Sequence, residues 1–233
     1  MSTWKIQRLG DQAIALSLEE LTLANHRKVL AVERWFSNNR FEGLLDVIVA
    51  YSSITLLYDG YRVRMSAQQP SHTYVESVLR TAFVESAMDD VSQTSLKTIP
   101  VCYESEYALD AEWVCALKSI SREELISIHT SKVYRVYAVG FLPGFPYMAE
   151  IDARIEVPRL DRPRPHVPAG SVAIAGAQTG IYPLDSPGGW RIIGRTPLTL
   201  FEKERNPPVL LEAGHEVRFE AISREHFMDI QRR

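Results

Sequence analysis

The stretch between residues 140 and 197 most constrains the fold, because glycine and proline dominate it. This quarter of the chain holds 8 of the 12 glycines and 9 of the 13 prolines, interleaved with aromatic residues and arginines. Glycine permits positive φ angles and close backbone approach, whereas proline fixes φ and removes a hydrogen-bond donor. Such a mixture predicts rigid loops between short strands, where binding and catalytic groups often lie. A turn-rich β structure without any site has the same composition, so both interpretations stay open.

Length, charge and cysteine content exclude several classes of function. At 233 residues the chain can hold two domains, and its formal net charge of −3 gives no electrostatic reason to expect nucleic acid or an anionic membrane. Cys102 and Cys115 have no metal-ligand companion nearby, which indicates free thiols in a reducing compartment. The chain shows neither a basic and apolar leader nor a long apolar run. We therefore expect a soluble cytoplasmic protein without a metal, nucleic-acid or membrane partner.

The first part of the chain, residues 1–90, has the pattern of an α+β domain. Two β-rich runs flank a Gly-Asp turn and predict a hairpin, and Thr22 is a candidate N-cap of a helix that continues to about Ser37. Two further β-rich runs follow, and the capping-box pattern Thr73-x-x-Glu76 predicts a second helix. The order ββαββα predicts helices on one side of a mainly antiparallel sheet, in a ferredoxin-like arrangement or a relative of it.

The second part, residues 97–233, has the pattern of a mainly-β domain. The polar segment Asp89–Thr98 is the expected linker. One helix is predicted near Asp110–Lys118, and a capping box predicts another from Ser121 to about His129. Many short strands with glycine and proline turns then favour a closed or nearly closed barrel. The strands expected outside the glycine and proline stretch are Val133–Val139, Leu198–Phe201, Val209–Glu212 and Glu216–Glu220.

Motifs of well-known mechanisms are absent from the sequence. The chain has no Walker A loop, no G-x-G-x-x-G, no H-E-x-x-H, no G-x-S-x-G and no paired C-x-x-C. If it takes part in ATP chemistry, it does so without a P-loop or shares the work with another protein of a complex.

Polar side chains in and beside the loops are the candidate functional groups. Arg159 and Arg164, each preceded by a proline, can present rigid guanidinium forks to a carboxylate or phosphate, or can form surface ion pairs. Gln178 lies between two glycines and can bind the amide group of a lactam or stabilise a turn. His129, at a predicted helix end, can act as a general acid or base, although a helix C-cap is the more common role.

Aromatic residues of the same loops can form the wall of a pocket. Aromatic side chains at turns also fill cores, and the sequence does not separate these roles. The residues concerned are Phe141, Phe145, Tyr147, Tyr182 and Trp190.

The loop motifs resemble those of a known family. The segments that carry the resemblance are His129-Thr-Ser, Tyr134-Arg-Val-Tyr137, Gly140-Phe-Leu-Pro-Gly-Phe-Pro-Tyr147, Pro158-Arg159, Pro163-Arg164, Val167-Pro-Ala-Gly-Ser171, Gly176-x-Gln178-Thr-Gly-Ile-Tyr-Pro183, Ser186-Pro-Gly-Gly-Trp190 and Gly194-Arg-Thr-Pro197. They resemble the B subunit of bacterial 5-oxoprolinase, a family that includes the sporulation-kinase inhibitor KipI and was formerly labelled allophanate hydrolase subunit 1. The resemblance is dense from about Ile99 to Phe219, whereas the N-terminal half agrees in length and element order only.

The resemblance implies a fold, a reaction and partners. The second domain is expected to be a cyclophilin-like β-barrel, and the protein to act with the homologous C subunit and with the A subunit of 5-oxoprolinase. Together they are expected to open 5-oxo-L-proline to L-glutamate with ATP and Mg²⁺, which this chain alone is not expected to bind tightly. In this scheme His129 and Gln178 are catalytic, and Arg159, Arg164 and Tyr182 bind substrate or phosphate.

Other functions remain open at this point. The resemblance to KipI implies, as the alternative, a binding protein that inhibits a sensor histidine kinase. A prolyl isomerase is suggested by barrel type alone, and a carboxylase or an allophanate-type amide hydrolase would use a similar pocket.

Overall fold

The computed structural model describes residues 3–87 and 95–232. The chain divides into two compact units, Met1–Thr94 and Ser95–Arg233. Most of the predicted linker, residues 89–94, lies outside the described residues. Its last residues were wrongly predicted, because residues 96–98 already belong to a strand.

Within residues 3–87, the first unit contains a four-stranded antiparallel sheet and three helices. Its elements are β1 (Trp4–Arg8), β2 (Ala13–Leu18), α1 (Leu23–Asn38), β3 (Leu44–Val49), β4 (Ser53–Tyr58), α2 (Gly60–Ala67) and α3 (Ser71–Glu85). The strands lie in the order β1-β2-β4-β3. The predicted α+β domain is confirmed at this level. The ferredoxin-like detail is not confirmed, because the chain order ββαββαα differs from the βαββαβ order of that fold.

Local sequence explains most of these elements. The β1–β2 hairpin is confirmed, and the Thr22 side chain caps α1 by accepting the Asn25 N–H at 3.1 Å. Helix α2 was missed, because Asp59 caps a helix there instead of forming a turn. The start predicted from the Thr73 capping box was wrong, since α3 begins at Ser71 after Pro70.

The second unit is built around a closed barrel of seven strands. Its strands are β5 (Leu96–Cys102), β6 (Val133–Val139), β7 (Pro146–Ala149), β8 (Arg164–Val167), β9 (Ser171–Ala175), β10 (Gln178–Ile181), β11 (Ser186–Gly188), β12 (Arg191–Arg195) and β13 (Glu216–Ile222). The barrel order is β10-β7-β6-β13-β5-β12-β9, and β8 pairs with β11 in a separate two-stranded ribbon. Its helices are α4 (Ala111–Lys118), α5 (Arg122–Thr130) and α6 (Arg224–Gln231), with a 3-10 helix at Ala153–Ile155.

Alternation along the strands separates two apolar clusters. Val172 and Ile174 of β9 belong to the large core inside the barrel. Ala173 and Ala175 belong to a smaller cluster on the outer face, which also contains Phe145. The predicted barrel is confirmed, whereas its likeness to cyclophilin stays a prediction.

Two details of the second unit correct the sequence predictions. The strands expected at 198–201 and 209–212 form only an isolated bridge between Phe201 and Val209. Helix α6 was not predicted. In the part of the chain that the structure describes, no helix combines the length and apolar character needed to cross a bilayer.

Candidate functional site

A pocket of about 410 Å³ lies among the loops of the glycine and proline stretch, on the outer face of the barrel. It is formed by the β6–β7 loop, the loop before β8, the loop after β10, the residues before β12 and the ribbon strand β11. Its volume falls in the range of pockets that bind small molecules. The residues that line it are Phe141, Leu142, Phe145, Tyr147, Arg159, Pro163, Tyr182, Ser186, Pro187, Gly188, Gly189 and Trp190.

Phe145 is the centre of the aromatic wall. Its ring meets Tyr182 and Trp190 edge-on at centroid distances of 5.2 and 5.4 Å, and it meets Tyr147 at 4.8 Å. Phe145 is 1% exposed, whereas Phe141 is 65% exposed and contacts Phe145 edge-on at 5.8 Å. The structure thus brings together all the aromatic residues that the sequence suggested, with Phe141 at the open side.

Two motif glycines permit this packing. A Cβ atom at Gly180 would lie 2.9 Å from the Phe145 ring, and one at Gly188 would lie 2.4 Å from the Tyr182 hydroxyl oxygen. Both distances are shorter than van der Waals contact, so only glycine lets these rings lie against the backbone. Gly188 is therefore part of the pocket wall, and Gly180 supports the Phe145 ring that belongs to this wall.

Arg159 supplies the positive charge of the pocket. It follows Pro158 in the loop before β8, and its guanidinium lies 5.7 Å from the centroid of the Trp190 ring. Within residues 3–87 and 95–232, no carboxylate forms an ion pair with Arg159, and none of the lining side chains is acidic. A guanidinium in this environment is suited to bind a carboxylate or phosphate.

The two tyrosines of the pocket are hydrogen-bond donors. Burial raises the pKa of both the Tyr147 and the Tyr182 hydroxyl, and the charge of Arg159 opposes the effect. The Trp190 backbone N–H approaches the Tyr182 hydroxyl oxygen at 3.5 Å, which leaves the hydroxyl proton available. Both phenols are therefore neutral at neutral pH and can donate to an oxygen of a ligand.

His129 lies inside the barrel and does not reach this pocket. Its side chain is fully buried, with Nδ1 2.7 Å from the Tyr103 hydroxyl and Nε2 3.0 Å from Thr179 Oγ1. Thr179 faces the barrel interior, whereas its neighbour Gly180 lies against Phe145 on the outer face. The barrel wall separates His129 from the pocket, so the predicted proton-transfer role is not supported. The C-cap of α5 is Ser131, which also removes the capping alternative.

Arg164 is held by an internal partner. Its guanidinium donates two hydrogen bonds, of 2.9 and 2.8 Å, to the carboxylate of Asp110, which is 3% exposed. The same carboxylate accepts the Ile192 N–H at 2.7 Å and lies 3.6 Å from the Arg191 guanidinium. Arg164 therefore fixes the ribbon to the barrel. The predicted contact with a substrate or phosphate is not supported, because the fork already holds a carboxylate.

Gln178 lies beside the pocket but outside its lining. It precedes Gly180 by two positions in β10 and therefore points to the same outer face, where it is half-buried. This placement does not test the catalytic role predicted for Gln178, which stays a prediction. Among the described residues, no group of three or more His, Cys, Asp or Glu side chains could hold a metal ion.

A two-unit chain with a closed barrel and a loop pocket is the class of protein to be identified, and comparison with known families provides the identification. Residues 4–211 match the model of the carboxyltransferase domain, subdomains C and D. The chain belongs to this family.

Within the family, the chain is similar to the B subunit of 5-oxoprolinase. It is 41% identical over 228 residues to the B subunit of the Bacillus subtilis (strain 168) enzyme, covering 96% of this chain and 95% of that protein. It is 33% identical over 213 residues to the B subunit of the Escherichia coli O157:H7 enzyme, with 91% and 93% covered. The resemblance predicted from the loop motifs is therefore confirmed.

Solved structures support the same fold. The crystal structure of TTHA0988 superposes with a TM-score of 0.76 at 33% identity and covers 96% of this chain. This chain spans only 40% of the length of TTHA0988.

Proposed function

We propose that this chain is the B subunit of an ATP-dependent 5-oxoprolinase, which acts with the A and C subunits to open 5-oxo-L-proline to L-glutamate. The support is its identity to two proteins named as this component of 5-oxoprolinase, along nearly their whole length. The single structural observation behind the proposal is the pocket. It combines aromatic walls with a guanidinium that no carboxylate of the described residues neutralises.

The pocket matches 5-oxoproline in its chemistry. This substrate is a small planar lactam ring that carries one carboxylate. In our proposal the carboxylate pairs with Arg159 and the ring packs against Trp190 and Phe145. Because the lining side chains include no acid, the pocket favours an anionic ligand over a cationic one.

The tyrosines provide the polar contacts of the proposed site. The neutral hydroxyls of Tyr147 and Tyr182 would donate hydrogen bonds to the lactam carbonyl oxygen, which gains negative charge when the ring opens. This chain would therefore hold, orient and polarise the substrate.

ATP chemistry fits this chain poorly. Phosphoryl transfer needs groups that hold Mg²⁺ and phosphate oxygens. The sequence has no P-loop, the described residues offer no carboxylate cluster, and Arg164 is held by Asp110. We therefore assign ATP and Mg²⁺ to the assembled complex and derive no step through them here. The interpretation as a histidine-kinase inhibitor stays a prediction, and no contact of this structure favours it.

The test is 5-oxoproline-dependent ATP hydrolysis with detection of glutamate. The chain is assayed alone and after co-expression with the A and C subunits. Urea serves as the comparison substrate, because the sequence left a carboxylase or an allophanate-type amide hydrolase open as alternatives. We expect glutamate only from the complete set, and no turnover of urea. A complete set that assembles but forms no glutamate contradicts the proposed function.

A further inference from the structure

The loop between β6 and β7 holds Phe141 in an unusual backbone conformation. Its φ angle is +66°, and the Leu142 N–H donates to the Gly140 carbonyl oxygen at 2.8 Å, which closes a three-residue turn around it. A hydrogen bond from residue i+2 to residue i around a positive φ defines the rare and strained form of the γ-turn. A bulky non-glycine residue in this region is an outlier.

The remainder of the loop keeps this conformation in place. The Gly140 N–H donates to the Phe145 carbonyl oxygen at 3.1 Å, and the Phe145 N–H donates to the Leu142 carbonyl oxygen at 3.0 Å. Gly144, with φ +82°, packs so closely that a Cβ atom there would lie 3.2 Å from the Cβ of Phe201. Strained residues persist where the surrounding structure fixes them in this way, and they cluster at active sites and ligand clamps.

Packing within the fold does not explain a phenylalanine at this position. The Phe141 side chain is 65% exposed, and its ring contact is the edge-on one with Phe145 at 5.8 Å. An exposed ring on a strained backbone costs stability without a matching gain from burial. Glycine at this position would relieve the backbone strain. Because folding stability does not explain the phenylalanine, its ring is expected to contribute to binding.

We propose that Phe141 is the clamp of the pocket and that its ring closes over the bound ligand. Phe141 already lines the pocket, whose volume of about 410 Å³ suits a ligand larger than 5-oxoproline. A ring that moves over a small bound lactam fills the remaining space and excludes water. The identity of the ligand rests on the proposed function, and the clamp is an inference from the loop.

The experiment measures binding of 5-oxo-L-proline to the full chain by calorimetry, together with the melting temperature. Phe141→Gly relieves the backbone strain and removes the ring, so we expect a higher melting temperature and about five- to tenfold weaker binding. Phe141→Tyr keeps the ring and should keep the affinity. Ser119→Gly is the matched control, because Ser119 also has a positive φ of 54° but lies at the end of α4 and does not line the pocket.

The possible outcomes decide whether the Phe141 ring closes over the ligand. Unchanged affinity in Phe141→Gly, or no binding of 5-oxo-L-proline to the wild-type chain, overturns the clamp. In both of these cases, formation of glutamate by the assembled A, B and C subunits would still support the proposed function. Weaker binding in Phe141→Gly without turnover by the complete set supports the clamp and contradicts the proposed function. If the Phe141→Gly variant binds 5-oxo-L-proline as tightly as the wild type but no longer co-purifies with the C subunit, Phe141 belongs to a protein interface instead.

Discussion

At the scale of single residues, the protonation of His129 is set by its neighbours. The Thr179 hydroxyl donates to the Ala173 carbonyl oxygen at 3.1 Å, so its oxygen accepts a hydrogen bond from the His129 Nε2–H. Nδ1 then accepts from the Tyr103 hydroxyl. This neutral imidazole is stacked on Phe219 at 4.4 Å, and burial lowers the pKa of His129 from 6.5 to about 3. The histidine stabilises the barrel only while it is uncharged.

The first prediction concerns the pH dependence of stability. Because the pKa is lower in the folded than in the unfolded state, stability is full above pH 6.5 and falls towards about pH 3 as the unfolded chain takes up the proton. We expect His129 to contribute a loss of about 1 kcal/mol of unfolding free energy per pH unit between about pH 6 and 4. Urea unfolding of His129→Leu should lack this slope, whereas the exposed His166→Gln control should retain it. Equal slopes in wild type and His129→Leu would contradict the prediction.

At the scale of elements, the β8–β11 ribbon forms one side of the pocket. Gly188 of β11 lies against the Tyr182 ring, and Asp110 fixes the ribbon through Arg164. We expect Gly188→Ala to cost about 1–3 kcal/mol of stability and to weaken 5-oxoproline binding, because the new Cβ displaces Tyr182.

The control for this change is the next residue. A Cβ at Gly189 would lie 3.7 Å from its nearest neighbour, a Pro163 carbon, so Gly189→Ala should be tolerated. Thermal melts and calorimetry of the two variants check both expectations. Equal effects of the two alanines would mean that the Tyr182 contact does not matter.

Sequence motifs predicted several local features, although α2 and α6 were missed despite their N-caps, and contacts between distant residues were not predicted. The Ser121 capping box and the aromatic wall follow from motifs, and the structure contains both. The Asp110–Arg164 pair joins residues 54 positions apart, and nothing near either residue indicates its partner. His129 was placed at a helix end by its local pattern, whereas its burial depends on the closed barrel around it.

At the scale of the whole molecule, the proposed function assigns substrate binding to this chain and phosphoryl chemistry to partner proteins. It spans 95% of its B. subtilis relative but only 40% of TTHA0988. In our account a complete enzyme therefore needs partner proteins, and the contribution of this chain is concentrated at Arg159 and the aromatic wall.

The most direct test of this account compares two arginines of one loop in the assembled enzyme. Both side chains are exposed, but Arg159 lines the pocket and Arg162 lies outside the lining. Loss of a charge-assisted bond to the substrate carboxylate should lower kcat/KM for 5-oxoproline by about 10- to 100-fold in Arg159→Gln. Arg162→Gln should stay close to the wild type. If the complex assembles with Arg159→Gln and its kcat/KM matches that of Arg162→Gln, the pocket is not the substrate site.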